Sequence, residues 1–403
     1  MKLAILTTGS LDDMKGIMNY VHEKALRLTH YDHSLVDAKL FFVITEYVGI
    51  LRILKYKKQF HSTYYHDSDV IVKGNVEYHI LLRKRSLCGA LKSLIYRNFI
   101  ERSFVNKVCG VLSQYDIISS HQLPCHYIAM MMKKLEGIPY VTTWHGSDIC
   151  ITPHKSKILF TYTREVMENA SMNFFVSRGL MKMSDSISSN SNKDVIYTGP
   201  SDIFFKYSAR ERQVLRKQYG VDNSKVISYS GNLVPIKNVM VLPEIFKRIA
   251  DRMNGLDLVF WIIGDGVLEE SLKDAIVGTN INYRFFGKVL PSDMPDLMNC
   301  TDILVLPSLN EGFSLSVLEA RQSGCYVVAS RVGGLPESAG VDNCFALDEE
   351  FVDNITQRME DILLNKVPYE PLPKDYSWDA AISKEINCCQ SLLKKKITYY
   401  ESK

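Results

Sequence analysis

The sequence predicts an α/β protein built from two Rossmann-like domains, and three observations carry that expectation. First, the chain has 403 residues, more than a single hydrophobic core ordinarily organises. Second, short β-branched or aliphatic runs recur through both halves, each followed by turn residues and a stretch of helical period, as parallel β-α units require. Third, the composition is that of a globular protein: 46% hydrophobic and 23% charged residues, with only 22 Gly and 13 Pro. That usage excludes collagen-like, mucin-like and long disordered chains.

In the first half, strands are predicted over residues 3–7, 117–119 and 140–143. A helix is expected from Gly16 to about residue 28, because Ile17, Val21, Leu26 and Leu28 approximate one face. Strand ends then meet near residues 7–16 and 144–148. In the second half, strands are predicted over 226–230, 258–263, 283–286, 303–306 and 326–329, each followed by a helix-like segment, which makes a second complete Rossmann-like sheet. The Ser/Asn-rich stretch 183–194 reads as a loop before the domain boundary. We place that boundary near Gly199-Pro200, so that residues 1–198 form the first domain and 199–377 the second. Pro368, Pro371 and Pro373 break the chain before Tyr376-Ser377-Trp378, and a terminal helix from about residue 379 to 397 is expected to return to the first domain.

Charge narrows the partners. Forty-eight Lys and Arg against 45 Asp and Glu give a net charge of +3, too small for the basic field of a general nucleic-acid binder. The nine cysteines lack C-x-x-C or His-flanked metal spacing and read as reduced thiols of a cytoplasmic protein. The N-terminus has only four apolar residues before Thr7-Thr8-Gly9, too few for a signal-peptide core. The most apolar run, residues 40–54, is interrupted by Glu46 and Arg52 and is too short to span a bilayer. A soluble or peripheral protein is the expectation.

The most informative segment is 302–339. A strand ends at Pro307-Ser308, a loop carries Asn310-Glu311-Gly312-Phe313, and a helix starts around Ser314 and Leu315 and holds Glu319. A helix N-terminus favours an anion such as a diphosphate. Gly312 permits close backbone approach because no Cβ intervenes. Glu311 can accept hydrogen bonds from sugar hydroxyls. Glu319 lies about five residues into the helix, or roughly 7.5 Å along its axis. Two carboxylates so separated can grip the two ends of one elongated ligand, a sugar at one and a ribose at the other.

The E-x(7)-E spacing of Glu311 and Glu319, within P-S-L-N-E-G-F-S-L-S-V-L-E-A and before G-C-Y-V-V-A-S-R-V-G-G-L-P-E, resembles the donor site of the retaining GT-B glycosyltransferases of family four, the glycosyl transferases group 1. Upstream, G-N-L-V-P-I-K-N from Gly231 resembles that family's first C-domain loop, where a Lys and usually an Arg neutralise the diphosphate. Lys237 fits the Lys position, and Asn232 stands where Arg is usual. Gly264-Asp265-Gly266 and Phe286-Gly287-Lys288-Val289 resemble the next two strand-end loops, the second lying by the base. Trp144-His145-Gly146-Ser147-Asp148 looks like the family's H-G-x-D loop, whose His approaches the donor sugar. Residues 196–202 resemble the interdomain connection, and Ser377-Trp378 the return of the terminal helix. Taken singly, Gly264 reads as a turn, Lys237 as a surface lysine and His145 as a structural histidine. Their joint order along the chain decides the matter.

The resemblance implies a GT-B fold, with two Rossmann-like domains facing each other across a cleft, and transfer from a nucleoside-diphosphate sugar with retention at the anomeric carbon. It implies His145, Glu311 and Lys237 as catalytic residues. Donor contacts fall to Gly16, Asn232, Gly264, Lys288, Gly312, Phe313, Ser314, Leu315 and Glu319, and no metal or other cofactor is expected. Gly16 reads equally as a plain helix start. The acceptor expected is a saccharide or lipid-linked saccharide of a bacterial surface-polysaccharide pathway. Residues 81–108 carry seven basic side chains against Glu101, a local excess of +6 interleaved with apolar residues. They read either as a basic amphipathic helix on anionic lipid at the inner face of the cell membrane or as a solvated helix face. Three rivals remain. A nucleotide-sugar hydrolase or epimerase on the same fold would form product from donor alone, and a non-catalytic sugar-binding subunit would form none. A dinucleotide oxidoreductase lacks its G-x-G-x-x-G after the first strand.

Overall fold

The computed structural model describes residues 1–11, 16–32, 34–47, 65–88, 100–189 and 192–401, with side chains to residue 395. The chain divides into two compact units. Unit 1 comprises Met1–Val176, Leu180–Tyr197 and Trp378–Lys403, and unit 2 comprises Ser177–Gly179 and Thr198–Ser377.

Unit 1 is built on β1 (Lys2–Thr7), β2 (Asp37–Tyr47), β3 (Val70–Lys73), β4 (Val76–Arg85), β5 (Ile117–His121), β6 (Tyr140–Trp144), β7 (Met172–Phe175) and β8 (Lys193–Val195). The sheet order is β3-β4-β2-β1-β5-β6-β7-β8, and every pair is parallel except β3 with β4. Strands β1, β5 and β6 are buried nearly throughout, which explains their continuous apolar reading, since helices cover both faces of a parallel sheet. Chain order reverses between β1 and β5.

Unit 2 carries β9 (Lys225–Ser230), β10 (Leu258–Ile263), β11 (Tyr283–Gly287), β12 (Ile303–Leu306), β13 (Tyr326–Ser330) and β14 (Cys344–Phe345) in the all-parallel order β11-β10-β9-β12-β13-β14. Period-2 alternation divides its core cleanly. Ile227, Tyr229, Phe260 and Ile262 enter the cluster on one face, while Val226, Val259, Trp261 and Ile263 enter that on the other. Here chain order reverses between β9 and β12.

The α/β class with two parallel sheets stands, and four local expectations change. The stretch 183–194 is not one loop: Met183 ends the helix Arg178–Met183, Ser184–Ser186 is a 3-10 turn, and Lys193–Val195 is an edge strand. An edge strand has one neighbour and needs no apolar alternation, so its polar sequence concealed it. The apolar run from residue 40 begins as strand β2, and residues 48–54 lie outside those described. Strands β2, β3, β4, β7, β8 and β14 had no sequence assignment. Finally, residues 81–108 are not one amphipathic helix. Residues 81–85 complete strand β4, a separate helix Arg102–Leu112 follows, and 89–99 lie outside the described residues. Arg83 is buried against the carboxylate of Glu101 at 2.6 Å, and Lys107 pairs with Asp67 and donates to the Leu82 carbonyl, so part of the local charge is neutralised within the fold.

All nine cysteines are free. Among the described residues no helix is long and apolar enough to cross a membrane.

Candidate functional site

In an open parallel sheet, a ligand crevice forms beyond the carboxyl ends of the strands where the chain order reverses. In unit 2 that point lies between β9 and β12, and the loops leaving those two strands carry Lys237 and Glu311. Lys237 closes the 3-10 turn Pro235–Lys237, which Asn238 ends in the left-handed conformation at φ 52°. The Lys237 ammonium donates to Glu311 Oε1, and Ser308 Oγ donates to the same oxygen at 3.1 Å. The two charged side chains remain 23% and 11% exposed, so the pair is oriented from below and reachable from outside.

A row of backbone hydrogen bonds sets the heights of these loops. Gly264 N donates to Gly287 O, Gly231 N to Ile263 O, and Leu233 N to Asp265 O, at 2.8 to 3.0 Å. Leu309 N donates to Ile236 O at 2.9 Å and Gly334 N to Glu311 O at 3.1 Å. Loops from β11, β10, β9, β12 and β13 are thus joined edge to edge. Such proximity leaves no room for side chains: a Cβ on Gly264 would lie 2.0 Å from Gly231 O, and one on Gly333 1.7 Å from Glu311 O.

The helix Leu315–Gln322 begins four residues after Glu311, with Ser314 as an extended N-cap residue whose Oγ bonds Ser316 Oγ at 3.0 Å. Its first amides lack partners within the helix. Ser177 Oγ, from the short segment that packs with unit 2, donates to Gly312 O at 2.8 Å and fixes the loop just before them. Phe313 meets Tyr376 edge-on at 5.5 Å. Asn232 is half-buried, and its carbonyl accepts from Tyr229 OH at 2.9 Å. Burial, and then the Glu311 charge, raises the Tyr229 pKa and keeps that hydroxyl a donor. Lys288 is exposed just beyond β11, and Glu319 is half-buried on the helix.

In unit 1, His145 follows β6. The Asp148 carboxylate accepts the backbone N–H groups of His145, at 3.0 and 3.1 Å, and of Gly146, at 2.8 Å, while Gly146 turns at φ 135°. Burial lifts the Asp148 carboxyl to about 6, against the lowering effect of those N–H bonds. The His145 ring packs edge-on against Tyr20 at 4.6 Å, and its Nε2 lies 3.0 Å from Nδ1 of His121 at the end of β5. Gly16 heads the helix Ile17–Thr29 at φ 55°, its carbonyl accepting from Tyr20 N at 3.1 Å. Residues 12–15 of its loop lie outside those described. Burial, followed by the Lys24 charge, pushes His145 down to about 3 and holds His121 well below the usual imidazole range. Burial does the same to His126.

Sequence reasoning therefore found Lys237, Glu311 and the helix start, which unit 2 brings together. It missed Ser308, Ser177 and Gly333, and in unit 1 Tyr20, Lys24, His121 and Glu385. His121 had a signal, a histidine at the end of a predicted buried strand. Lys24 and Glu385 lie 361 positions apart and had none. Among the described residues no three His, Cys, Asp or Glu side chains are grouped as metal ligands.

Two predictions arise from this geometry. Gly287 and Gly333 are both left-handed, at φ 62° and 52°, yet a Cβ at Gly287 meets nothing within 4 Å. Gly287→Ala should cost only the backbone penalty of about 1 kcal/mol. Gly333→Ala should cost about 2 kcal/mol more, since Glu311 must move. Urea unfolding followed through Trp261 measures both, and equal losses would contradict the close-approach account. The second prediction concerns acid. Between the depressed folded pKa of a buried imidazole and its unfolded value, the unfolded chain binds the extra proton. Stability from His121, His126 and His145 is therefore complete above about pH 6.5 and falls as pH drops, by about 1.4 kcal/mol per pH unit for each ring. Asp148, shifted up, opposes this over part of the window, but one carboxyl offsets only one ring. The urea midpoint of unit 1 should decline from pH 7 to pH 5, more gently in His126→Gln, and a level midpoint would refute it.

Residues 224–365 match the family model for glycosyl transferases group 1. The chain is 30% identical over 247 residues to an uncharacterized glycosyltransferase of Methanocaldococcus jannaschii, covering 58% of this chain and 62% of the relative. It is 26% identical over 254 residues to the UDP-Gal:alpha-D-GlcNAc-diphosphoundecaprenol alpha-1,3-galactosyltransferase of Escherichia coli, covering 59% and 61%. The match thus spans about three-fifths of the length of these relatives. HepE of Anabaena, solved in complex with UDP and glucose, superposes with a TM-score of 0.65 over 100% of both chains at 17% identity, a likeness of fold. Residues 224–365 thus resemble the group 1 glycosyl transferases, the relatives are similar to this chain at 26–30% identity over part of their length, and the likeness to the solved structure is one of GT-B fold.

Proposed function

We propose that the chain moves a sugar from a nucleoside-diphosphate sugar to a saccharide or lipid-linked saccharide, with retention at the anomeric carbon, in bacterial surface-polysaccharide synthesis. The observation that carries this reading is the Lys237–Glu311 pair at the strand reversal of unit 2, beside the first turn of the helix Leu315–Gln322. The bond from the anomeric carbon to the phosphate oxygen breaks, and the bond to the acceptor oxygen forms. The acceptor proton passes to the departing diphosphate. Negative charge grows on that diphosphate, where the Lys237 ammonium and the first helix amides stabilise it most at the transition state. Because Asn232 occupies the position usual for Arg, Lys237 and the helix carry a larger share of that charge. Glu311 orients the sugar hydroxyls, Glu319 holds the ribose and the loop of Lys288 lies by the base. Gly264, Gly312, Phe313, Ser314 and Leu315 line the donor. His145 has the sugar-facing role its loop's resemblance implies, with Gly16 on the phosphate or acceptor side. No metal enters the scheme. The E. coli relative, whose name gives a diphosphoundecaprenol acceptor, supports the lipid-linked form.

The exposed Lys84 and Arg102 and the 40% exposed Leu87 support a second reading, for the basic region: a peripheral contact with anionic lipid on the cytoplasmic side.

Lys237→Ala and Glu311→Ala should each lower transfer by about 10²-fold or more while leaving the unfolding midpoint in place. Full activity in both would overturn the site. Donor identity is read from thermal stabilisation by UDP-, GDP- and ADP-sugars. Product formed without acceptor would instead mark a hydrolase or epimerase. For the lipid contact, binding to anionic liposomes should weaken as salt rises, whereas equal recovery in solution with and without liposomes removes it.

A further inference from the structure

Unit 1 buries a polar chain that the transfer scheme leaves unused. Lys24, 1% exposed on the helix Ile17–Thr29, donates to Glu385 Oε1 at 2.6 Å and to Ser119 Oγ at 2.7 Å. Ser119 Oγ in turn donates to the same Glu385 oxygen at 2.6 Å. The third close neighbour of the ammonium is His121 Nε2, at 3.3 Å. An ammonium has three N–H donors and no acceptor, so Nε2 of His121 must accept. A neutral His121 then carries its proton on Nδ1 and donates it to His145 Nε2 at 3.0 Å. With Nε2 accepting, the proton of a neutral His145 lies on Nδ1.

We propose that Lys24, acting through His121, is a positioning group that fixes the tautomer of His145, so that this residue presents an Nδ1–H donor. The consequence for catalysis rests on the sugar-facing role given to His145, but the tautomer itself does not. The surroundings favour neutral rings. The Lys24 charge opposes a second proton on His121 or His145, and burial opposes it on both. The other ionisable groups facing the pair are Tyr20, kept protonated by burial, Glu385, paired with Lys24, His126 from the helix Leu123–Glu136, and Asp148, which accepts backbone N–H groups of the His145 loop. A fixed N–H selects a ligand acceptor in a way that a freely exchanging imidazole does not.

The test is nitrogen-15 spectroscopy of the full chain labelled at histidine, with His121→Gln and His145→Gln used for assignment. Both rings should show protonated Nδ1 and unprotonated Nε2 from about pH 6 to pH 8. A protonated Nε2 on His145, or an imidazolium, would overturn the assignment. Lys24→Met alone leaves Glu385 buried without its partner and can fail to fold. The double variant Lys24→Met/Glu385→Gln removes both charges. In it the His121 proton is free to move to Nε2, and the two nitrogen shifts of His145 should exchange or average. Unchanged shifts in the double variant would remove Lys24 from the role. If the tautomer is found as assigned and His145→Gln still transfers sugar at full rate, the relay stands and the sugar-facing reading of His145 is what fails.

Discussion

The organisation of unit 2 depends on one constraint: loops leaving adjacent parallel strands must pass one another at backbone distance. Strands 4.7–4.9 Å apart deliver their connections to the same edge, and there the amides and carbonyls of the β11, β10, β9, β12 and β13 loops bond in sequence. The approach is closest at Gly264, Gly266, Gly333 and Gly334, where a Cβ would fall 1.7 to 2.3 Å from a carbonyl oxygen of the neighbouring loop. Gly264, expected from the sequence as a donor contact, is therefore first of all a loop-approach position. The rigid rim these glycines create is what holds Glu311 and the helix start at one height.

Two lysine–carboxylate pairs show how burial divides roles. Lys237 and Glu311 are partly open to solvent, and a ligand bearing phosphates and hydroxyls can exchange with each partner, the ammonium to the anion and the carboxylate to the hydroxyls. Lys24 and Glu385 are only 1% and 4% exposed. Taking those two charges from water is compensated by mutual attraction and by Ser119, and no ligand can replace either. The first pair is suited to chemistry, the second to holding other groups in a fixed protonation pattern.

Much of this was legible in the sequence because the signals are local. Strands β9, β10 and β12 are buried on both faces and read as short aliphatic runs, and the loop-helix segment from Pro307 to Glu319 carries its turn residues and carboxylates within thirteen positions. What was not legible falls into two kinds. Edge strands such as Lys193–Val195 have polar sequences because one side needs no partner. Residues 81–108 misled because, among the described residues, charges that form a helical stripe on paper are divided between a strand and a separate helix, with Arg83 turned inward to Glu101. Long-range pairs such as Lys24 with Glu385 lie beyond any reading of one sequence.

The terminal helix Trp378–Glu401 shows why that last limit matters. Its sequence reads as a terminal helix returning to the first domain, and Trp378 packs on Tyr20 at 5.1 Å as a core residue would. Yet two turns on it contributes Glu385, the only carboxylate bonded to Lys24 among the described residues. Without that carboxylate the ammonium would be a buried, uncompensated charge, and the cheapest relief would be loss of its proton. A neutral amine can accept as well as donate, so the direction of the hydrogen bond to His121, and with it the tautomer of His145, would no longer be set. The end of the chain thus sets the character of a ring more than two hundred positions upstream, by supplying a charge rather than a contact.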